Sequence, residues 1–361
     1  MTNEFMIKLD RLRGLMKDER VDAIYIKRQD NFAWLTCGRR NYVGMGDIGN
    51  CGLLILSDSL YAVTNNIEAP RMKTECKLEE LGFDIRFGLW HDTSFEKRTI
   101  DELVPSGKVL FDTADGGKIK LLRFDLTEAE IARYQEIGYD ASLAMESAAM
   151  GISVGMTEFE IAGLIMKNME EKGLELLSCM VAADERMSLY RHPLPTDKKV
   201  VKKVQIGGNF RRDGLVVCMT RYVYFEEPSD TIKKQYHDTQ VIDCTYMASC
   251  LPGISFSDVL RLGQSKYKEL GYAEEFSKHH QGGPIGYAGR DYRVDFKTPG
   301  VISGHQAFCW NPSITGTKSE DTVICTDNGV IPVSRPVLFP KVEIEVCGQV
   351  FIRPDILVKT N

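Results

Sequence analysis

Apolar positions along this chain change period more than once, and those changes divide it. From Met6 to Arg20 the spacing is helical, after which come the short apolar runs Ala23-Ile24-Tyr25-Ile26 and Gly52-Leu53-Leu54-Ile55-Leu56. Strand signals alternating with helical ones over the first ~125 residues predict an α/β layer on a largely parallel sheet. The segment from Asp112 to Lys118, with its Gly116-Gly117 pair, predicts a loop before the next unit.

From Asp125 the pattern becomes helical again. Asp125 or Thr127 is placed to cap a helix in which Ile131, Tyr134, Ile137 and Ala141 share one face. A second helix is predicted to start near Gly155, where Thr157 and Glu160 have the spacing of a capping box. After residue 200 the signal turns to strands: Leu215-Val216-Val217-Cys218-Met219, then Val323-Ile324-Cys325, then the alternating run from Val342 to Val346 that leads into Cys347. No internal repeat is visible. A chain of 361 residues exceeds the size at which one core usually stops growing, so two domains are expected, 1–125 and 126–361.

Composition narrows the classes of partner. With 43% hydrophobic and 27% charged residues the chain reads as an ordinary globular protein. A formal charge of −6, with no long Lys/Arg run, lacks the basic excess that a phosphate backbone demands, so nucleic acid is not an expected partner. The start Met1-Thr2-Asn3-Glu4-Phe5 carries acid where a signal peptide carries positive charge, and no stretch reaches the roughly 20 apolar residues of a membrane span. A cytoplasmic location is the expectation. Most of the ten cysteines, without a Cys-x-x-Cys pair, are expected to be buried free thiols, not a zinc ribbon or a redox motif.

The chemistry concentrates near the C-terminal end. Trp310-Asn311-Pro312-Ser313-Ile314-Thr315-Gly316-Thr317-Lys318-Ser319-Glu320-Asp321-Thr322, together with His192, Asp213-Gly214, Thr220-Arg221 and His279-His280-Gln281-Gly282-Gly283, resembles the pita-bread family of Xaa-Pro aminopeptidases, prolidases, methionine aminopeptidases and creatinase. The resemblance implies an α/β N-terminal domain followed by an α+β pita-bread catalytic domain. In the family's metal enzymes two aspartates, one histidine and two glutamates hold two divalent ions. The corresponding positions here are Gly207, Cys218, Gly283, Asn311 and Glu320, so only Glu320 matches a ligand and no metal cofactor is expected.

What the resemblance implies for this site is acid–base chemistry. His192 matches the histidine that metal-free creatinase keeps as its acid/base, and Glu320 matches a glutamate that holds that enzyme's cationic guanidinium. His279 and Arg290 repeat the spacing of creatinase's histidine and its carboxylate-binding arginine, which implies a small anionic substrate. His192 and Glu320 are therefore the expected catalytic residues, with Arg290, His279, His280, Asn311, Cys218 and Tyr287 around the substrate. Asn311 and His280 would donate hydrogen bonds to developing negative charge. Family members are commonly dimers, and a homodimer would bring Arg39 and Arg40 from a neighbour as a second anion contact.

Each of these residues also has a structural reading. A histidine beside prolines is more often solvated than catalytic, Arg290 could serve a salt bridge, and Tyr287 could be a core aromatic. The expected function is metal-independent hydrolysis of a carbon–nitrogen bond in a small carboxylate-bearing molecule. The alternatives are an Xaa-Pro peptidase with an atypical metal arrangement, and a binding protein or lyase on the same fold.

Overall fold

The computed structural model describes residues 2–360. It divides into two compact units, one running up to Phe124 and one from Asp125 onward.

The first unit opens with helix α1 (Asn3–Glu19), capped by the Thr2 hydroxyl, which accepts from the Phe5 amide at 3.3 Å. Phe5, Leu9, Leu12 and Met16 form its buried stripe, and Arg20 ends it in the left-handed conformation at φ 52°. The helix packs against a five-stranded sheet. Its strands are β1 (Ala23–Arg28), β2 (Ile48–Leu56), β3 (Leu60–Asn65), β4 (Asp84–Gly88) and β5 (Val109–Phe111), in the order β4-β3-β2-β1-β5. Helices α2 (Gln29–Leu35), α3 (Ala69–Thr74), α4 (Phe95–Leu103) and α5 (Lys118–Leu122) complete the unit.

The expected largely parallel sheet is corrected here. β1–β5 and β3–β4 are parallel, whereas β1–β2 and β2–β3 are antiparallel. For β2 and β3 the reason is local: only three residues separate them, enough for a hairpin and far too few for a crossover.

The second unit begins with two helices, α6 (Glu128–Gly151) and α7 (Glu158–Glu170), each started by a complete capping box, Thr127 with Glu130 and Thr157 with Glu160. Tyr134, Ile137, Ala141 and Met145 are buried along α6. Gly138 permits a close approach there, since a Cβ would stand 2.1 Å from the Val333 carbonyl oxygen. Strands β6 (Glu175–Ala183), β7 (Lys203–Arg212) and β8 (Leu215–Tyr224) form an antiparallel run, with the short helix α8 (Arg186–Leu189) between β6 and β7. All of β8 is buried, which accounts for its apolar run Leu215–Met219 and for the pairing of its buried Arg221.

Helices α9 (Asp230–Ser249) and α10 (Phe256–Glu269) pack on each other, and α10 leads into a 3-10 turn over Ala273–Lys278. A second sheet combines β9 (Gly282–Pro284) and β10 (Ala307–Trp310) with strands that follow a small hairpin, β11 (Ser313–Ile314) and β12 (Thr317–Lys318). Those later strands are β13 (Asp321–Thr326) and β14 (Gly329–Pro332), giving the order β14-β13-β10-β9. The chain closes with the hairpin β15 (Lys341–Val346) and β16 (Gln349–Pro354), then β17 (Leu357–Val358), which lies parallel to β8.

The two sheets of this unit meet where β8 runs beside the start of β13. The Thr220 amide donates to the Glu320 carbonyl at 3.1 Å, and the Cys218 amide donates to the Thr322 hydroxyl at 2.9 Å. Fully buried charges brace the seam. Arg221 pairs with Glu146 at 2.8 Å and Asp321 at 3.1 Å, while Arg353 pairs with Asp243 at 2.5 Å and Asp321 at 3.3 Å. Glu146 also accepts from the amides of Val337, Leu338 and Phe339. With each charge answered, the segment 318–322 is held from both sides, which fixes the side chain at 320.

Candidate active site

Two segments of the second unit bring the three imidazoles together. His192 lies on the exposed loop after α8, and His279 and His280 link the 3-10 turn to β9. His192 Nε2 lies 3.2 Å from His279 Nε2, and one nitrogen from each of the three rings lies within 4.8 Å of the others. On its far side His279 Nδ1 meets the Ser313 hydroxyl at 3.4 Å, while His280 Nδ1 is buried with no hydrogen-bond partner.

All three line a cavity of about 650 Å³. Its other walls include Arg191, Phe276, Gln281, Arg293 and Phe296. Arg191 is paired with Glu275 at 3.0 Å, whereas exposed Arg293 has no ion-pair partner among the described residues.

Burial and nearby cations hold these imidazoles uncharged. Desolvation, with Lys318 next, pushes His279 down to about 2. Burial, then Arg290, pushes His280 down to about 4. His192 is lowered from the ordinary histidine value by burial and then by Lys318, against an opposing pull from Glu320. A neutral imidazole can accept a proton, the first requirement of a general base.

Near this wall, close enough to act on His192 electrostatically, is Glu320, 3% exposed. Its Oε2 accepts from Lys318 Nζ at 2.6 Å and from the Thr220 hydroxyl at 2.7 Å. Burial works to raise this carboxyl, but Lys318, Thr220 and Arg290 outweigh it and hold Glu320 below the usual carboxylate range. Cys309 Sγ stands 3.9 Å from Oε1, and burial together with neighbouring Cys218 pushes the Cys309 thiol up.

The positions where the resemblance would set two divalent ions do not fit them. At Gly207 even a Cβ would lie 2.8 Å from both the Met219 carbonyl oxygen and the Thr220 hydroxyl, so no carboxylate is accommodated. Gly283 has φ +145°, and a Cβ there would stand 2.6 Å from the Tyr292 carbonyl oxygen, so no histidine is accommodated. Cys218 offers a wholly buried thiol and Asn311 an amide, and Oε2 of Glu320 is already engaged by an ammonium. Such a donor set cannot balance the charge of two hard or borderline cations.

The other candidate residues are placed as follows. Arg290 Nη1 donates to the Gly283 carbonyl at 3.0 Å and to the Cys309 carbonyl at 2.5 Å, so part of the predicted carboxylate fork is committed to main chain. Arg293, three positions later, lines the cavity, as does Arg191. The Tyr287 phenol donates to Glu130 at 2.7 Å and accepts from Arg133, and that buried side chain anchors the start of α6. Asn311 Oδ1 is buried without a partner, and Cys218 is packed with Val216, Ile285 and Cys309.

Arg39 and Arg40 belong to the first unit. Arg39 donates to the Thr36 and Cys76 carbonyls, and the Arg40 carbonyl accepts from Arg71 at 2.9 Å. Sequence reasoning assigned Lys318 no role. Its signal was available, because residues two apart in an extended segment share a face, which sets Lys318 beside Glu320. Nothing in the sequence marked Arg293 as different from other loop arginines.

Residues 132–331, more than half of the chain, match the model of metallopeptidase family M24. Two relatives, uncharacterized peptidases of Staphylococcus aureus strain MW2 and Staphylococcus haemolyticus strain JCSC1435, are each 23% identical over 222 residues. That match spans 58% of this chain and 62% of each relative, so the chain covers under two thirds of their length. Among solved structures, the Xaa-Pro dipeptidase from Bacillus anthracis superposes with a TM-score of 0.72 at 18% identity, covering 98% of this chain and 100% of its own. A dipeptidase from Pyrococcus horikoshii OT3 gives 0.75 at 18% identity, covering 91% and 98%. The N-terminal domain of the FACT complex subunit SPT16 from Cicer arietinum gives 0.70 at 10% identity, covering 93% and 97%. These likenesses establish the pita-bread fold.

Proposed function

Because the chain belongs to metallopeptidase family M24, we propose that it is a hydrolase of that family which cleaves a carbon–nitrogen bond without the dinuclear centre. Its substrate is a small molecule carrying a carboxylate. The observation that carries this reading is the convergence of three uncharged imidazoles on one cavity beside a carboxylate held ionised by Lys318.

His192 takes a proton from water as that water attacks the trigonal carbon, and returns it to the leaving nitrogen. His279, at 3.2 Å, accepts or donates at Nε2 and so keeps the His192 ring oriented through the transfer. Glu320 Oε1 faces an amidine, an amine or the attacking water, while Oε2 stays with Lys318 and Thr220. Arg293 binds the substrate carboxylate, a role suited to a guanidinium with no intramolecular partner on the cavity wall. The apolar faces of Phe276 and Phe296 bound the space left for the rest of the substrate.

The test is turnover of metal-free protein. After chelator treatment and elemental analysis, the full chain is assayed against N-acyl and N-amidino amino acids and Xaa-Pro dipeptides. Hydrolysis of any of these at undiminished rate without metal is the expected outcome. Activity that vanishes with chelation and returns with added manganese or zinc overturns the reading.

A further inference from the structure

The imidazole cluster has a second chemical capacity. We propose that His192, His279 and His280 together form a mononuclear seat for one borderline transition-metal ion of the zinc, cobalt or nickel class, apart from the floor where the family's two ions would lie.

Geometry carries the proposal. Three imidazoles are a recurrent ligand set for such ions, and a tetrahedral ion with bonds of roughly 2.0–2.1 Å spaces its nitrogens about 3.3–3.4 Å apart. His192 Nε2 and His279 Nε2 are already 3.2 Å apart, and one nitrogen from each of the three rings lies within 4.8 Å of the other two. Closing the remaining gap requires small turns of the rings, and neither His192 nor His280 is fully buried. The surroundings also resemble those of a ligand histidine. His279 has a hydroxyl, Ser313, at its other nitrogen, the contact that commonly orients a metal-bound ring. His280 Nδ1 is buried with no hydrogen-bond partner, so that ring is not tied to the protein through it. The open cavity leaves the fourth coordination position to water or to a small anion, and Arg191 and Arg293 on its wall favour the anion.

Occupancy would remove the base. A nitrogen that holds the ion has no lone pair for a proton, so an ion on His192 and turnover through His192 exclude each other; this consequence, unlike the binding itself, rests on the proposed function.

Binding is read without substrate, on the purified full chain stripped of metal. Titration with Co²⁺ alone, followed by its visible absorption and by calorimetry, should show one ion per chain with the intense bands of a four-coordinate site; Zn²⁺ should displace it. His192→Ala and His280→Ala alter side chains that are not deeply buried, and thermal melts verify that both fold. Each should weaken binding by at least the roughly 10- to 100-fold that loss of even an outer partner costs a metal site. Glu320→Gln should leave binding in place. The proposal falls if Co²⁺ produces no four-coordinate spectrum, if both histidine variants bind as the parent does, or if Glu320→Gln alone abolishes binding, which would set the ion on the floor. Turnover then reports separately: an ion bound at the histidines that raises activity leaves the seat standing and removes the metal-independent reading.

Discussion

The floor and the wall of the site solve opposite electrostatic problems. On the floor every charge is answered from within the protein. Glu320 is held by Lys318 and Thr220, and the adjoining segment is clamped through Asp321 by Arg221 and Arg353. On the wall, three nitrogen heterocycles and Arg293 face a cavity with few internal partners. In the family's metal enzymes the floor is anionic and depends on ions to complete it. Here the Lys318 ammonium answers the Glu320 carboxylate, and the proposed function sets the reactivity on the wall.

The sharpest way to break this contrast is to unbalance the floor. Lys318→Met should cost about 3–5 kcal/mol, the usual penalty for leaving one partner of a buried pair uncompensated. Urea unfolding monitored by circular dichroism measures it. The double variant Lys318→Met with Glu320→Gln should recover much of that loss, because it removes the orphaned charge. If the single variant were as stable as the parent, the floor would not depend on this pair.

The corresponding change on the wall acts on rate and leaves stability nearly untouched. His192→Ala should lower kcat on the order of 10²-fold or more, typical for loss of a positioned acid/base, which is roughly 2.7 kcal/mol or more in the barrier. Its melting temperature should stay close to that of the parent, since His192 is exposed. Undiminished turnover would remove His192 from the chemistry.

A glycine pair tests whether the floor is sterically closed. Gly207→Ala should cost roughly 1–3 kcal/mol, as overpacking does, because its new methyl group meets the Met219 carbonyl oxygen and Thr220 at 2.8 Å. Gly163→Ala, in the interior of α7 with nothing within 4 Å, should do the reverse and stabilise by about 0.4–1 kcal/mol. Equal effects at both positions would show that the first ligand position was lost without its space being filled.

How much of this was legible in the sequence follows the same division. Local signals were read well. The capping boxes at Thr127 and Thr157, and the buried run from Leu215 to Met219, depend on neighbours a few residues away, and the structure bears them out. The pita-bread fold was legible through Thr220-Arg221 and the Glu320-Asp321-Thr322 block, and Arg221–Asp321 explains why: these residues are the buried brace of the seam between sheets. The mixed N-terminal sheet was not legible from alternating periods alone, since strand direction depended on a three-residue connection. Side-chain direction in irregular segments was out of reach for the same kind of reason. Arg290 and Arg293 lie on one loop, and only the close approach of the Gly283 and Cys309 carbonyls turns the first toward main chain.

The smallest expected effect concerns pH, and its sign separates wall from floor. Burial and Lys318 lower the proton affinity of His192, so in metal-free protein the base is already neutral at pH values where a free imidazole would be partly charged. Turnover should therefore fall on the acid side only as pH drops through a value below the ordinary 6.5, staying level above it until another group intervenes. Glu320 opposes the shift, so Glu320→Gln should move this limb to still lower pH; Lys318 reinforces it, so Lys318→Met should move the limb up. Both displacements should be a fraction of a pH unit, and stopped-flow rates over roughly pH 4 to 8, spanning the ordinary imidazole value, resolve them. Opposite displacements would mean that the floor acts on His192 through its electrostatic field; a limb that ignores both substitutions would mean that wall and floor are electrically independent.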